Sequence, residues 1–139
     1  MRVARLLSII LLAFAVIAAA VFLPDRLCFD NAESYTFYCG TSSADCKEVT
    51  VTRNASLTKL TLQNVCGEAA VYKNFDLNSF LKKTGAKIIF MEELSDSVNY
   101  YCAANLPYKV KINGAIINLH ICVRGNTAKT ASPIIFGGY

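Results

Sequence analysis

Tryptophan is absent from this chain, and histidine occurs once, at position 120. Zinc takes three or four ligands from C-x-x-C, paired-histidine or H-E-x-x-H spacings, and none of these occurs, so neither a metal ion nor another cofactor is expected. Charge is scarce as well, at 17% of 139 residues, with no basic cluster beyond Lys82-Lys83 and the Lys109/Lys111 pair. Past the two N-terminal arginines, 12 Lys/Arg stand against 10 Asp/Glu, a net charge of +2. That balance cannot neutralise a nucleic-acid backbone, so no nucleic-acid partner is expected. Gly67, Gly137 and Gly138 precede no helix and make no phosphate loop. Glu92 and Glu93, adjacent on one strand, point to opposite faces and are poorly placed as a carboxylate pair.

What the chain does have begins at its N-terminus. After Arg2 and Arg5, residues 6–23 (LLSIILLAFAVIAAAVFL) run 18 positions without a charge. Ala18-Ala19-Ala20 after a 12-residue apolar core offers a cleavage site for a secretory signal, whereas 18 apolar residues are just long enough to span a bilayer. Residues 1–23 are therefore read as a signal peptide or a transmembrane anchor, the anchor being favoured. The arginines keep the N-terminus inside and place the rest on the extracytoplasmic side of the cell membrane, or in the exterior if the chain is cut after Ala20. Residues 24–34 (PDRLCFDNAES) read as a polar linker, and residues 35–139 as a single extracytoplasmic domain.

Six cysteines in a small exported chain usually pair. Cys39 and Cys46 flank the turn-rich GTSSAD and could bridge a hairpin between YTFYCG and CKEVTVT. The partners of Cys28, Cys66, Cys102 and Cys122 stay open. SLTKLTLQN (56–64) and EAAVYKN (68–74) read as further strands, and Asn54-Ala55-Ser56 as a glycosylation sequon or a turn before the first of them. One helix is well signalled: Asp76 as N-cap, Leu77, Phe80 and Leu81 along a face to be buried, Lys82 and Lys83 in the last turn, and Gly85 beyond its end. Strands follow in AKIIFMEE, SVNYYCAA, YKVKI, AIINLHICVR and TASPIIFG, with Pro133 marking an edge or a bulge.

Asn113-Gly114 predicts a tight hairpin that pairs Ile112 with Ala115, Val110 with Ile117 and Tyr108 with Leu119. One face then collects Tyr108, Val110, Ile112, Ile117, Leu119, Ile121 and Val123. The other, expected to be wet, carries Lys109, Lys111, Ile116, Asn118, His120, Cys122 and Arg124. His120 is read as a half-exposed residue facing Pro107. Cys122 is read as a thiol under the helix or a partner of Cys102. The alternative, a thiol enzyme or redox protein using Cys122 and His120, suffers because side chains two apart on a strand run parallel.

NVCGEAAVY (64–72), a short helix, NYYC (99–102), KINGAIINLHICVRG (111–125) and SPIIFGGY (132–139) resemble the YwmB-like exported proteins of spore-forming Gram-positive bacteria. The resemblance implies a fold similar to the TATA-box-binding protein, with a curved antiparallel sheet and helices on one side, and it brings no catalytic residues. The fold class expected is α+β, a curved antiparallel sheet of hairpins with one main helix on one face, behind an N-terminal membrane helix or signal. The function expected is non-enzymatic: a membrane-tethered envelope or sporulation-associated binding or assembly module, touching a protein partner through the sheet's polar face or an edge. Lys109, Lys111, His120, Cys122 and Arg124 are its candidate binding residues. A secreted, disulfide-stapled ligand-binding domain is the remaining alternative.

Overall fold

The computed structural model describes residues 2–22, 27–41 and 45–137. The first residues of the expected linker, the middle of the Cys39–Cys46 turn and the last two residues lie outside that set. The chain is α+β: α1 (Arg2–Phe22), β1 (Ser34–Cys39), β2 (Lys47–Val51), α2 (Ala55–Thr61), β3 (Val65–Lys73), α3 (Leu77–Thr84), β4 (Lys87–Glu93), β5 (Val98–Ala103), β6 (Val110–Ile112), β7 (Ala115–Ile117), β8 (Leu119–Arg124) and β9 (Thr127–Ser132). Seven strands make one antiparallel sheet in the order β2-β1-β3-β9-β8-β5-β4, and β6-β7 form a separate hairpin.

α1 covers the apolar N-terminal run, and its side chains from Val3 to Ile17 are exposed. Among the described residues, no helix is long and apolar enough to cross a membrane.

α3 forms as its end signals dictate. The Asp76 carboxylate accepts the Ser79 N–H at 2.9 Å, and Gly85 closes the helix at φ 64°. Leu77, Phe80 and Leu81 pack against the core but stay half-buried, because α3 lies at its margin. Residues 56–61, expected within a strand at 56–64, belong instead to the helix α2. Asn54 at φ 53° turns the chain into it, and the leucines that suggested alternation at 57 and 60 are a helical i, i+3 pair.

The two faces of the sheet are unequal. Phe37, Ala70, Cys102, Leu119, Ile121 and Ala128 form the main core, covered by Phe29, Ala55 and Leu62 and by α3. Phe29 lies within the expected linker, yet it is 3% exposed and belongs to this core. The opposite face carries Tyr38, Ala69 and Ala131, against which Ile135 and Phe136 of the C-terminal segment pack. Tyr38 and Phe136 meet edge to face at 4.7 Å. Their approach needs Gly67, where a Cβ would lie 2.9 Å from the Ser132 carbonyl. β9 is not an edge strand: it lies between β3 and β8 and ends at Ser132, before the proline that could not continue the ladder.

The Asn113-Gly114 turn is as expected, both residues having positive φ (49° and 82°) and Ile112 facing Ala115. Its ladder stops at Val110–Ile117 and does not reach Tyr108–Leu119. Asn118 ends it: its side-chain amide bonds both the N–H and the C=O of Ala104, and its own N–H donates to Cys102. Beyond it, β8 pairs with β5, Leu119 opposite Cys102. Ile117, Leu119 and Ile121 are all fully buried, as the apolar set expected along this stretch requires.

Leu119→Ala should cost about 2–5 kcal/mol, the range for emptying a buried leucine site. Asp76→Ala should cost about 1 kcal/mol through its cap. Urea denaturation at constant m-value reads both, and a Leu119→Ala loss no larger than that of Asp76→Ala would contradict the core assigned to β8.

Candidate functional site

His120 and Cys122 share one face of β8, as their spacing requires, but that face is not wet. His120 is 8% and Cys122 5% exposed, because the C-terminal segment after Ser132 folds over them. The His120 ring does not face Pro107. Its Nε2 lies 3.0 Å from Asn99 Oδ1, and its Nδ1 accepts the Ile135 N–H at 3.2 Å. Those two bonds define a neutral imidazole with its proton on Nε2. The ring also ends a stack, Phe90 on Tyr101 and Tyr101 on His120, each at 4.4 Å. Burial lowers its pKa to about 4.

Both ring nitrogens are thus engaged away from Cys122, whose thiol burial pushes up. Cys122 is covered neither by α3 nor by Cys102: α3 and Cys102 belong to the other face. His120, Cys122 and Arg124 line one recess of about 160 Å³, with Arg124 exposed and bonded to Asp96 at 3.1 Å. That volume is small for a ligand site. Lys109 and Lys111 stand elsewhere, exposed before and within β6, so the five candidates do not converge. A larger depression of about 470 Å³ flanks the aromatic stack and is walled by Ile112, Ile134 and Ile135. Glu92 and Glu93 lie opposite Asn99 and Val98 and are exposed, on alternate faces as read.

All six cysteines are free thiols. Cys39 lies opposite Lys47, one position out of step with Cys46. One step in a strand reverses the side chain. Cys39 accordingly packs toward the main core and Cys46 toward the other face. Among the described residues, no three His, Cys, Asp or Glu side chains are grouped to hold a metal ion.

The most constrained polar group is one not singled out in the sequence. Glu68, in the middle of β3, has no exposed surface and faces the main core, between Phe37 on β1 and Ser132 on β9. Its carboxylate accepts Lys59 Nζ from α2 at 2.7 Å and the Cys28 N–H at 2.9 Å. Lys59 is 9% exposed and lies 5.5 Å over the Tyr108 ring. Burial works against its charge, but Glu68 outweighs it and raises the pKa, so the ammonium persists. The adjacent Cys28 thiol is pushed up to about 12, first by burial and then by Glu68. It stays protonated at neutral pH. The signal in the sequence was a single acid inside the apolar GEAAVY.

Over this pair opens a cleft of about 580 Å³. Leu27, Leu60, Leu62, Val65, Leu106 and Pro107 form its apolar walls, and Cys28, Lys59, Asn105 and Tyr108 are its polar lining. Size and lining suit a small ligand. Comparison with known proteins yields no similar family model, no similar curated protein and no similar solved structure.

Glu68→Leu should destabilise the domain by about 3–5 kcal/mol by stranding a buried ammonium, whereas Glu68→Leu with Lys59→Met should recover most of that loss. A double-mutant cycle in urea measures the recovery, and additive losses would contradict the pairing. His120 gives a pH dependence of definite sign. Its folded pKa lies below the ordinary 6.5, so its contribution is complete above 6.5 and declines as pH falls toward about 4. About 3 kcal/mol separates the two limits. His120→Gln should flatten the stability profile across that window relative to wild type, and superimposable slopes would contradict the buried neutral imidazole.

Proposed function

We propose that this chain is an extracytoplasmic, non-enzymatic binding module, brought to the membrane by its N-terminal segment, and that the cleft over Glu68 and Lys59 is where it binds. The observation that carries the reading is the cleft itself. Apolar walls meet a lysine whose charge the buried Glu68 beneath it already neutralises, which favours an apolar ligand over an anionic one. Binding fits the chemistry better than turnover does. Cys28 holds its proton, Lys59 is tied to Glu68, and the one imidazole is on the far face of the sheet. None of these is a free base or nucleophile near neutral pH.

α1 supports the location. Val3, Leu6, Ile9, Leu11, Leu12 and Phe14 are each more than 60% exposed, an apolar surface suited to contact with lipid. Only three residues separate Leu23 from Leu27 of the cleft wall, at most about 14 Å of chain. The cleft therefore lies at the membrane-proximal end if α1 is retained. The likeness of residues 64–139 to YwmB-like exported proteins accords with this reading and rests on the quoted stretches alone.

A neutral single-chain amphiphile, octyl glucoside below its micellar concentration, should shift the amide resonances of Leu27, Leu60, Leu106 and Tyr108 saturably. Leu60→Asp should weaken that binding about tenfold, the value of one buried leucine side chain. Shifts centred on Phe90, Tyr101 and His120 would move the site to the other face. Fractionation with intact-mass measurement tests the location: full-length protein in the membrane, or protein cut after Ala20 outside the cell, agrees with export, and full-length protein confined to the cytoplasm contradicts it.

A further inference from the structure

We propose that Cys46 and Cys66 are a disulfide-forming pair, which a small-molecule or protein disulfide closes across the end of β1. Both thiols pack on the face that carries Tyr38 and Ala131. They are close enough for each thiol's charge to be felt by the other.

Two backbone features bring them together. β1 runs between β2 and β3, so two strands flanking it stand about 9.5 Å apart, too far for a bridge. At Gly40, just past the end of β1, the side-chain position is vacant on the Cys46 face. A Cβ there would meet the Asp45 carbonyl at 3.0 Å and Cys46 Cα at 3.1 Å. The Asp45–Cys46 backbone thus occupies the space that Gly40 leaves open, close against the end of β1. From the other side, the β1–β3 register slips between Tyr38–Gly67 and Cys39–Val65, so Cys66 is an extra residue in the ladder. Its Sγ lies 3.3 Å from the Tyr38 carbonyl, over β1 instead of out along β3. Cys39, the nearest competitor, packs toward the opposite face.

The chemistry is thiol–disulfide exchange and balances with oxidised glutathione as the oxidant. One cysteine thiolate attacks a glutathione sulfur and releases one glutathione thiol. The second cysteine, losing its proton to solvent, attacks the protein sulfur of the mixed disulfide and releases the other. Two electrons pass from the cysteines to glutathione. Cys28 and Cys102, with thiols raised to about 12 and about 11, compete poorly for the oxidant. The loop closed spans residues 47–65 and carries α2, and with it Lys59, Leu60 and Leu62 of the cleft. Oxidation would fasten that wall to the sheet.

The purified full chain, equilibrated with oxidised and reduced glutathione and then alkylated, should lose two hydrogens in intact mass. Cleavage before Asp45 and after Lys47 separates Cys46 from Cys28 and Cys39, and the resulting map should show Cys46 linked to Cys66. Oxidation should raise the melting temperature by on the order of 10 °C. A Cys39–Cys46 link, or glutathione adducts without an internal bridge, would overturn the proposal. The experiment needs neither export nor ligand, so its failure leaves the reading of the cleft separately testable.

Discussion

A carboxylate with no exposed surface has to be satisfied from within the protein, and Glu68 draws three parts of the chain to one point to achieve it. α2 supplies the Lys59 ammonium, the segment after α1 supplies the Cys28 N–H, and β3 holds the acid at the centre of the sheet. No buried side-chain nitrogen or oxygen among the described residues lacks a partner. The cleft is a consequence. α2 is only seven residues long, too short to be stable alone, and its outward leucines at 57 and 60 bury little. What keeps it in place is Ala55, Leu62 and the ion pair, and what it leaves open is a hollow walled by its own Leu60 and by Leu27 and Leu106.

A buried pair of this kind is weak evidence for stability, since an apolar substitute of equal volume often does as well. Its use here is positional. The pair fixes one orientation of α2 over the sheet, and with it the width of the cleft. The second face follows a different economy. There a neutral histidine is built into the structure: Asn99 takes the Nε2 proton, the Ile135 N–H occupies Nδ1, and Tyr101 covers the ring. The C-terminal segment that closes this face packs over His120 and occupies its second ring nitrogen.

How much of this was legible in the sequence depended on whether the signal was local. α3 could be read because its cap, apolar stripe and terminal glycine sit within ten residues of one another, and the β6–β7 turn because Asn113-Gly114 states its own geometry. The side of β8 that His120 and Cys122 occupy was legible too, by alternation. Their burial was not, because it comes from the chain at Ile135 and Gly137, which no periodicity relates to β8. α2 was misread because Leu57, Leu60 and Leu62 fit a broken alternation as well as a helical turn. Glu68 stands out as an acid in an apolar strand, but its partners, 9 and 40 positions away, are set by tertiary structure alone.

Hydrogen exchange at the Cys28 amide tests most directly whether the buried carboxylate organises this end of the domain. Bonded to Glu68, that N–H should exchange as slowly as the amides of β3 and β9 and lose its protection in the stability-recovered variant Glu68→Leu with Lys59→Met, while Leu119 keeps most of its own. Exchange at Cys28 as fast as in an unstructured chain, in the unmodified protein, would mean that Glu68 does not hold the segment and that the cleft lacks the fixed wall on which the proposed binding depends.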